Sequence, residues 1–216
     1  MNVSQEHLMV LLLAKNSGER FFADLFGKLG FYFNNEPIST RNLCLLQKNL
    51  QDYEEYSKIV CLDNPYRIVY NEFLINSPTN WKLKGNTIEK RQEEFSNWLD
   101  LIFYNDVDYF QDNRDRVPLV FMLCRDFADL KIDYLVKKES YLEDLQKIPF
   151  MDLSKLNPKL EFLMENDLDY QNIITKEQAG RIFRFFQPLF DKFGFNPFSF
   201  TQQELSLKEK VDFIHS

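Results

Sequence analysis

The sequence predicts an all-α, multi-helix protein. Apolar residues recur at three- and four-residue spacing through most of the chain, and helix start and stop signals punctuate that periodicity. No stretch alternates apolar with polar residues for long enough to make a half-buried strand.

Taken in order, Leu8, Leu11 and Leu12 mark a first apolar face, which Asn16-Ser17-Gly18 brings to a stop. Phe21, Phe22, Leu25, Phe26 and Leu29 form the next. Gly30 then stands where a helix C-terminus takes a left-handed residue, with Phe31 placed to close over the last turn. Leu43, Leu46, Leu50 and Tyr53 keep the spacing into Tyr56, Ile59 and Val60. Asn86, with Glu89 three residues on, opens a helix that carries Phe95, Trp98, Leu99 and Ile102 on one side. Pro118 suits a first turn ahead of Leu119, Val120, Leu123, Phe127 and Leu130. Leu135, Tyr141, Leu142 and Leu145 continue until Pro149, and Leu160, Leu163 and Met164 precede an acidic loop. Thr175 with Gln178, and Thr201 with Glu204, are capping-box signatures for two last helices. The sum is about nine to eleven helices.

Of 216 residues, 44% are hydrophobic and 27% charged, which supplies a sizeable core and excludes a disordered chain. Acidic residues number 33 against 26 basic ones, a net charge of −7. Neutralising a nucleic-acid backbone needs clustered Lys and Arg. The best basic groups, Lys82–Lys84 and Lys137–Lys138, are short and lie among carboxylates, so neither nucleic acid nor an anionic membrane surface is expected as a partner. No apolar run approaches the ~20 residues that span a bilayer. Cys44, Cys61 and Cys124 lack C-x-x-C spacing and read as reduced, buried thiols. The expectation is a cytoplasmic protein.

Polar interruptions at 76–86 and 105–118 contain no Gly/Ser linker. They favour a single compact body over 1–216, with sub-lobes 1–78 and 150–216 flanking a helical segment, 79–149.

The usual catalytic constellations are missing. His7 and His215 lie near opposite termini with no Cys or carboxylate at metal spacing, which leaves no zinc site and no credible Ser-His-Asp base. No Gly-rich phosphate motif occurs. The carboxylate pairs Glu54/Glu55, Asp106/Asp108, Asp112/Asp115 and Glu143/Asp144 read as solvated faces. No enzyme is expected. A cluster of Phe residues between Phe183 and Phe200 has two readings: a helix buried on most sides, or a partner groove with Phe186, Phe190, Phe193, Phe195 and Phe198 as anchors.

Residues 20–31 and 184–195 are identical at eight of twelve positions. Either an old duplication or the shared demands of an amphipathic helix with a glycine stop accounts for this. Each copy leads into a buried apolar residue and then a Thr-containing helix start, and similar layouts occur at 67–73 and 173–179.

The segment Asp167-Leu168-Asp169-Tyr170-Gln171-Asn172-Ile173-Ile174-Thr175-Lys176-Glu177-Gln178 resembles an EF-hand loop entering its exit helix. The family takes oxygen ligands at positions one, three and five, an apolar residue at eight and Glu at twelve. Asp167, Asp169, Gln171 and Ile174 match, while Gln178 replaces the bidentate Glu, so calcium affinity falls steeply. Segments 31–42, 61–72 and 193–204 keep the frame and lose most ligands. The resemblance implies two paired, degenerate EF-hand-like lobes, with Ile38 opposite Ile68 and Ile174 opposite Phe200, around a helical insertion. It implies no cofactor beyond a calcium ion at Asp167, Asp169, Gln171 and Gln178. It further implies a non-enzymatic adaptor of the calmodulin and light-chain kind, binding a partner protein or amphipathic helix largely independently of calcium. The alternative is an acidic all-α inhibitor or immunity-type protein that blocks a toxin or nuclease. There Glu54, Glu55, Asp106, Asp108 and Asp112 would cover a basic site.

Overall fold

The computed structural model describes residues 2–4, 9–13, 18–31, 53–76, 87–104, 131–156 and 169–215. The chain divides into two units, each discontinuous in sequence. Unit 1 comprises Met1–Asn64 and Arg125–Glu165, and unit 2 comprises Pro65–Cys124 and Asn166–Ser216. This division does not follow the expected lobes at 1–78 and 150–216.

Unit 1 overturns the all-α expectation. Strands β1 (Asn2–Ser4), β2 (Met9–Leu13), β3 (Ser57–Leu62) and β4 (Tyr134–Lys137) form one sheet in that order. β1 runs antiparallel to β2, whereas β2, β3 and β4 are parallel, with Leu11 opposite Ile59 and Cys61 opposite Val136. All five residues of β2 are buried, as are Ile59 to Leu62. A strand buried on both faces reads as a continuous apolar run rather than an alternation. Leu8, Leu11 and Leu12 satisfy helical spacing inside such a run, which is why period alone misassigns it. Tyr56, Ile59 and Val60 fail as a helix for the same reason. Tyr53–Glu55 makes only a 3-10 turn, and Leu135, helical by its spacing, lies in β4.

Alternate sheet residues Met9, Leu11, Leu13, Ile59, Cys61 and Val136 pack against helix α1 (Glu19–Lys28). Phe21, Phe22, Leu25 and Phe26 of α1, with Leu29 just past its end, bury here, the face that three-four spacing predicts. The helix stops as expected: the Phe31 N–H reaches Phe26 O at 2.9 Å and the Gly30 N–H reaches Gly27 O at 3.1 Å. Those two bonds make a Schellman motif around Gly30 at φ 93°, and the Phe26 and Phe31 rings meet at 6.2 Å. After β4, a 3-10 turn (Lys138–Ser140) leads into the short helix α4 (Tyr141–Leu145). Its Tyr141 and Leu145, with Ile148, complete this core.

Unit 2 is helical among its described residues: α2 (Pro65–Asn76), α3 (Ile88–Tyr104), α5 (Asp169–Ile173), α6 (Lys176–Phe193) and α7 (Leu207–His215). The Thr175–Gln178 capping box forms as read. Two other starts shift. Thr87, not Asn86, caps α3, its hydroxyl accepting the Lys90 N–H. α7 begins well past Thr201, where Ser206 and Glu209 make the reciprocal pair instead. Aromatic rings fill the interior. Tyr66 meets Phe190 and Phe200, Phe73 meets Phe95 and Trp98, and Phe213 meets Phe183, Phe198 and Phe200. Among the described residues no helix is long and apolar enough to cross a membrane.

Candidate functional site

Three parallel strands end on the same edge of the sheet, which brings together the residues that directly follow β3 and β4. β3 delivers Asp63 and Asn64, β4 delivers Lys138, Glu139 and Ser140, and the connection after β2 ends at Gly18, which starts α1. In open α/β sheets this carboxyl edge is where ligands bind.

Asp63 is completely buried and the Lys138 side chain is 8% exposed, yet Lys138 Nζ stands 3.6 Å from Asp63 Oδ2. A buried lysine needs such a partner, since an isolated charge in the interior is strongly disfavoured. The other Asp63 oxygen, Oδ1, accepts the Asn64 N–H at 2.7 Å. The Asn64 amide in turn donates to Glu139 Oε2 at 3.3 Å, a second tie between the ends of β3 and β4. Lys138 Nζ also lies 5.7 Å from the centre of the Phe21 ring, on the first turn of α1.

Gly18 completes the edge. It is left-handed at φ 83° and caps α1 with no side-chain hydrogen bond. A β-carbon there would stand 3.3 Å from Lys138 Cδ and 3.6 Å from Asp63 Oδ2. The start of α1, with its partial positive charge, thus lies directly against the Asp63–Lys138 pair. Behind it, Asp144 fixes the turn after β4. Its Oδ2 accepts the Lys137 N–H at 3.0 Å and the Ser140 hydroxyl at 2.8 Å, and Oδ1 receives Lys147 Nζ at 2.6 Å. Burial pushes the Asp144 carboxyl up, but the bonds from Lys147, Lys137 and Ser140 outweigh it and hold the group below the ordinary carboxylate range. On this sheet edge one cation and the two Asn64 donors, beside a helix N-terminus, answer the carboxylates of Asp63 and Glu139; such donors are the groups an oxyanion takes.

The residues singled out from the sequence lie elsewhere. Gln171 belongs to α5, and its amide donates to Ser199 O at 2.9 Å. Gln178 is committed twice, accepting the Thr175 N–H and donating to Gln92 O at 2.7 Å. Asp169 is the first residue of α5, and Ile68 sits inside α2, so neither occupies an extended metal loop. Asp167 and Ile38 are outside the described residues, as are Asp106, Asp108 and Asp112. Among the described residues no three His, Cys, Asp or Glu side chains gather to hold a metal ion. Phe186, Phe190, Phe193 and Phe195 are buried in unit 2, and Phe198 is half-buried, so these rings line its interior. Glu54 and Glu55 are exposed at the turn before β3.

In the sequence, Asp63 and Asn64 lie inside the degenerate 61–72 frame, and Lys138 belongs to the short basic group Lys137–Lys138. The signal that finds them is the polar residue directly after a continuous apolar run: Ile59-Val60-Cys61-Leu62 before Asp63, and Tyr134-Leu135-Val136 before Lys137-Lys138. In comparisons with known proteins, no family model, no curated protein and no solved structure matches the chain.

Proposed function

We propose that unit 1 is a ligand-binding α/β unit whose ligand carries a phosphate-like oxyanion, as a nucleotide or other phosphorylated small molecule does. The observation that carries this reading is the convergence of Gly18, Asn64 and Lys138 on the carboxyl edge of three parallel strands. The backbone N–H groups of a first helical turn have no intrahelical partners, and Gly18 brings no side chain to answer them. The role is binding; no catalytic group is assigned.

Thermal unfolding of the full chain with inorganic phosphate, sulfate and adenosine nucleotides tests it. A ligand present at about a hundred times its Kd adds about 2.7 kcal/mol of stability. At least one of these ligands should raise the midpoint, and Lys138→Met should remove that rise. No shift with any of them refutes the reading.

A second reading keeps the chain as a non-enzymatic interaction protein that takes an amphipathic helix. It is favoured by α7, where Leu207, Val211 and Ile214 recur at helical spacing and are 80%, 48% and 48% exposed. Under it, Val211→Glu abolishes partner association and leaves any phosphate response unchanged.

A further inference from the structure

We infer that Asp63 is the resident anion of the strand-edge cradle, and that a tetrahedral oxyanion binds by taking Lys138 over from it. The inference rests on the oxyanion reading proposed above and adds how the site is kept closed.

Three observations carry it. The Asp63 carboxylate stands beside the start of α1: Oδ2 lies 3.6 Å from the point where a β-carbon on Gly18 would stand, and also 3.6 Å from Lys138 Nζ. The ion pair is longer than the ~2.7–2.9 Å of a well-formed charge-assisted hydrogen bond, whereas Lys147 and Asp144, close by on α4 and the turn after it, reach 2.6 Å. The carboxylate also has a second tether besides the lysine, the Asn64 N–H on Oδ1 at 2.7 Å. A phosphate has about one and a half to two times the charge of a carboxylate, and more acceptor oxygens. It therefore gains more than Asp63 does from the same lysine and the same helix terminus. While Asp63 keeps its charge, the ligand must also meet that charge at close range, which lowers its affinity. Asp63 is a positioning residue in this scheme: it holds Lys138 in place for the ligand and competes with the ligand for it.

Calorimetric titration of the full chain with inorganic phosphate, and separately with inorganic sulfate, provides the test. Asp63→Asn keeps shape and removes the charge, so it should bind at least one ion about tenfold or more tighter than the wild type. A gain for both ions marks the shared tetrahedral charge as the feature read, and a gain for one names that ion's class. Adding Lys138→Met to Asp63→Asn should abolish the gain. Equal or weaker binding by a natively folded Asp63→Asn overturns the inference while the wild type's own binding leaves the oxyanion reading standing. Absence of binding in both proteins removes the two together. A wild-type measurement covers the case in which Asp63→Asn does not fold. Titrating phosphate into isotope-labelled protein should move the amide resonances of Gly18, Asn64 and Lys138 together, because the Asn64 N–H is held by the carboxylate that gives up its lysine. Movement of Gly18 with Asn64 unmoved overturns the inference.

Discussion

Three glycines of unit 1 separate backbone strain, close approach and helix propensity within one structural context. Gly18→Ala introduces a β-carbon at φ 83°, 3.3 Å from Lys138 Cδ. A left-handed non-glycine residue costs about 1–2 kcal/mol, offset by about 0.4–1 kcal/mol because alanine restricts the unfolded chain. The contact adds to this. Lys138 is buried between Asp63 and the Phe21 ring, so its stem cannot swing away, and crowding of this kind costs about 1 kcal/mol or more. The expected loss is about 2–3 kcal/mol. Gly30→Ala, at φ 93°, meets only the far end of Lys155 at 3.7 Å, so it should lose the backbone part alone, about 1 kcal/mol. Gly27→Ala, within α1 with nothing inside 4 Å, should instead gain about 0.5–1 kcal/mol. Urea unfolding followed by circular dichroism, with equal slopes for all variants, gives the three values. If Gly18→Ala is no worse than Gly30→Ala, the packing of Lys138 against the start of α1 is wrong. If Gly27→Ala destabilises, the space beside Gly27 is not open.

The remaining expectations concern single groups. Asp144 has its carboxyl held below the ordinary value of 3.8, so its contribution to stability is present in full above about pH 4 and is lost as pH falls through its folded pKa. Asp144→Asn should cost about 1.5–3 kcal/mol at neutral pH, and urea unfolding should show the gap to wild type closing as the solution is acidified below that range. Cys61 is fully buried in β3 and burial pushes its thiol well up, so it should resist a thiol reagent in the native state and react only on unfolding, read by absorbance. Thr175→Ala should cost about 1 kcal/mol through loss of the cap. Gln178→Ala should cost more, because its amide also holds Gln92 O; parallel urea titrations compare the two.

Legibility in the sequence followed the kind of element. Amphipathic helices with one wet face were readable: the buried face of α1, the Gly30 stop and the Thr175–Gln178 box all stand where spacing and capping chemistry put them. Strands of the parallel sheet were not. Met9–Leu13 and Ile59–Leu62 are dry on both faces, so the period-2 signal that exposes a half-buried strand never arises. The candidate site was lost with them, since Asp63 and Lys138 acquire meaning only when β3 and β4 are parallel neighbours 75 residues apart in sequence, the separation also spanned by the Asn64–Glu139 hydrogen bond. The Phe-rich stretch shows a different limit. Composition identified a cluster needing burial, but whether rings face a groove or their own core depends on what packs against them, here Tyr66 on Phe190 and Phe200, and Phe213 on Phe183.

The repeated dozen, residues 20–31 and 184–195, illustrates how far local resemblance carries. Both copies end in a left-handed glycine, Gly30 at φ 93° and Gly194 at φ 62°, each with a buried Phe directly after it. Their settings differ. The first copy is almost the whole of α1, a helix that comes after a strand and covers a parallel sheet. The second is only the latter half of α6, which starts from its own capping box eight residues earlier and packs among helices. A duplicated module carries its neighbours with it, and here neither the preceding element nor the packing partner is shared. The shared Phe and Leu positions are those any helix needs to bury one face, and the shared Gly is what a Schellman or left-handed stop requires. Common physics at a helix end is therefore sufficient to produce the identity. By the same reasoning the Thr-x-x-Gln at 175–178 is a helix start, with both of its polar side chains engaged in holding the first turn of α6 and Gln178 also donating to Gln92 O.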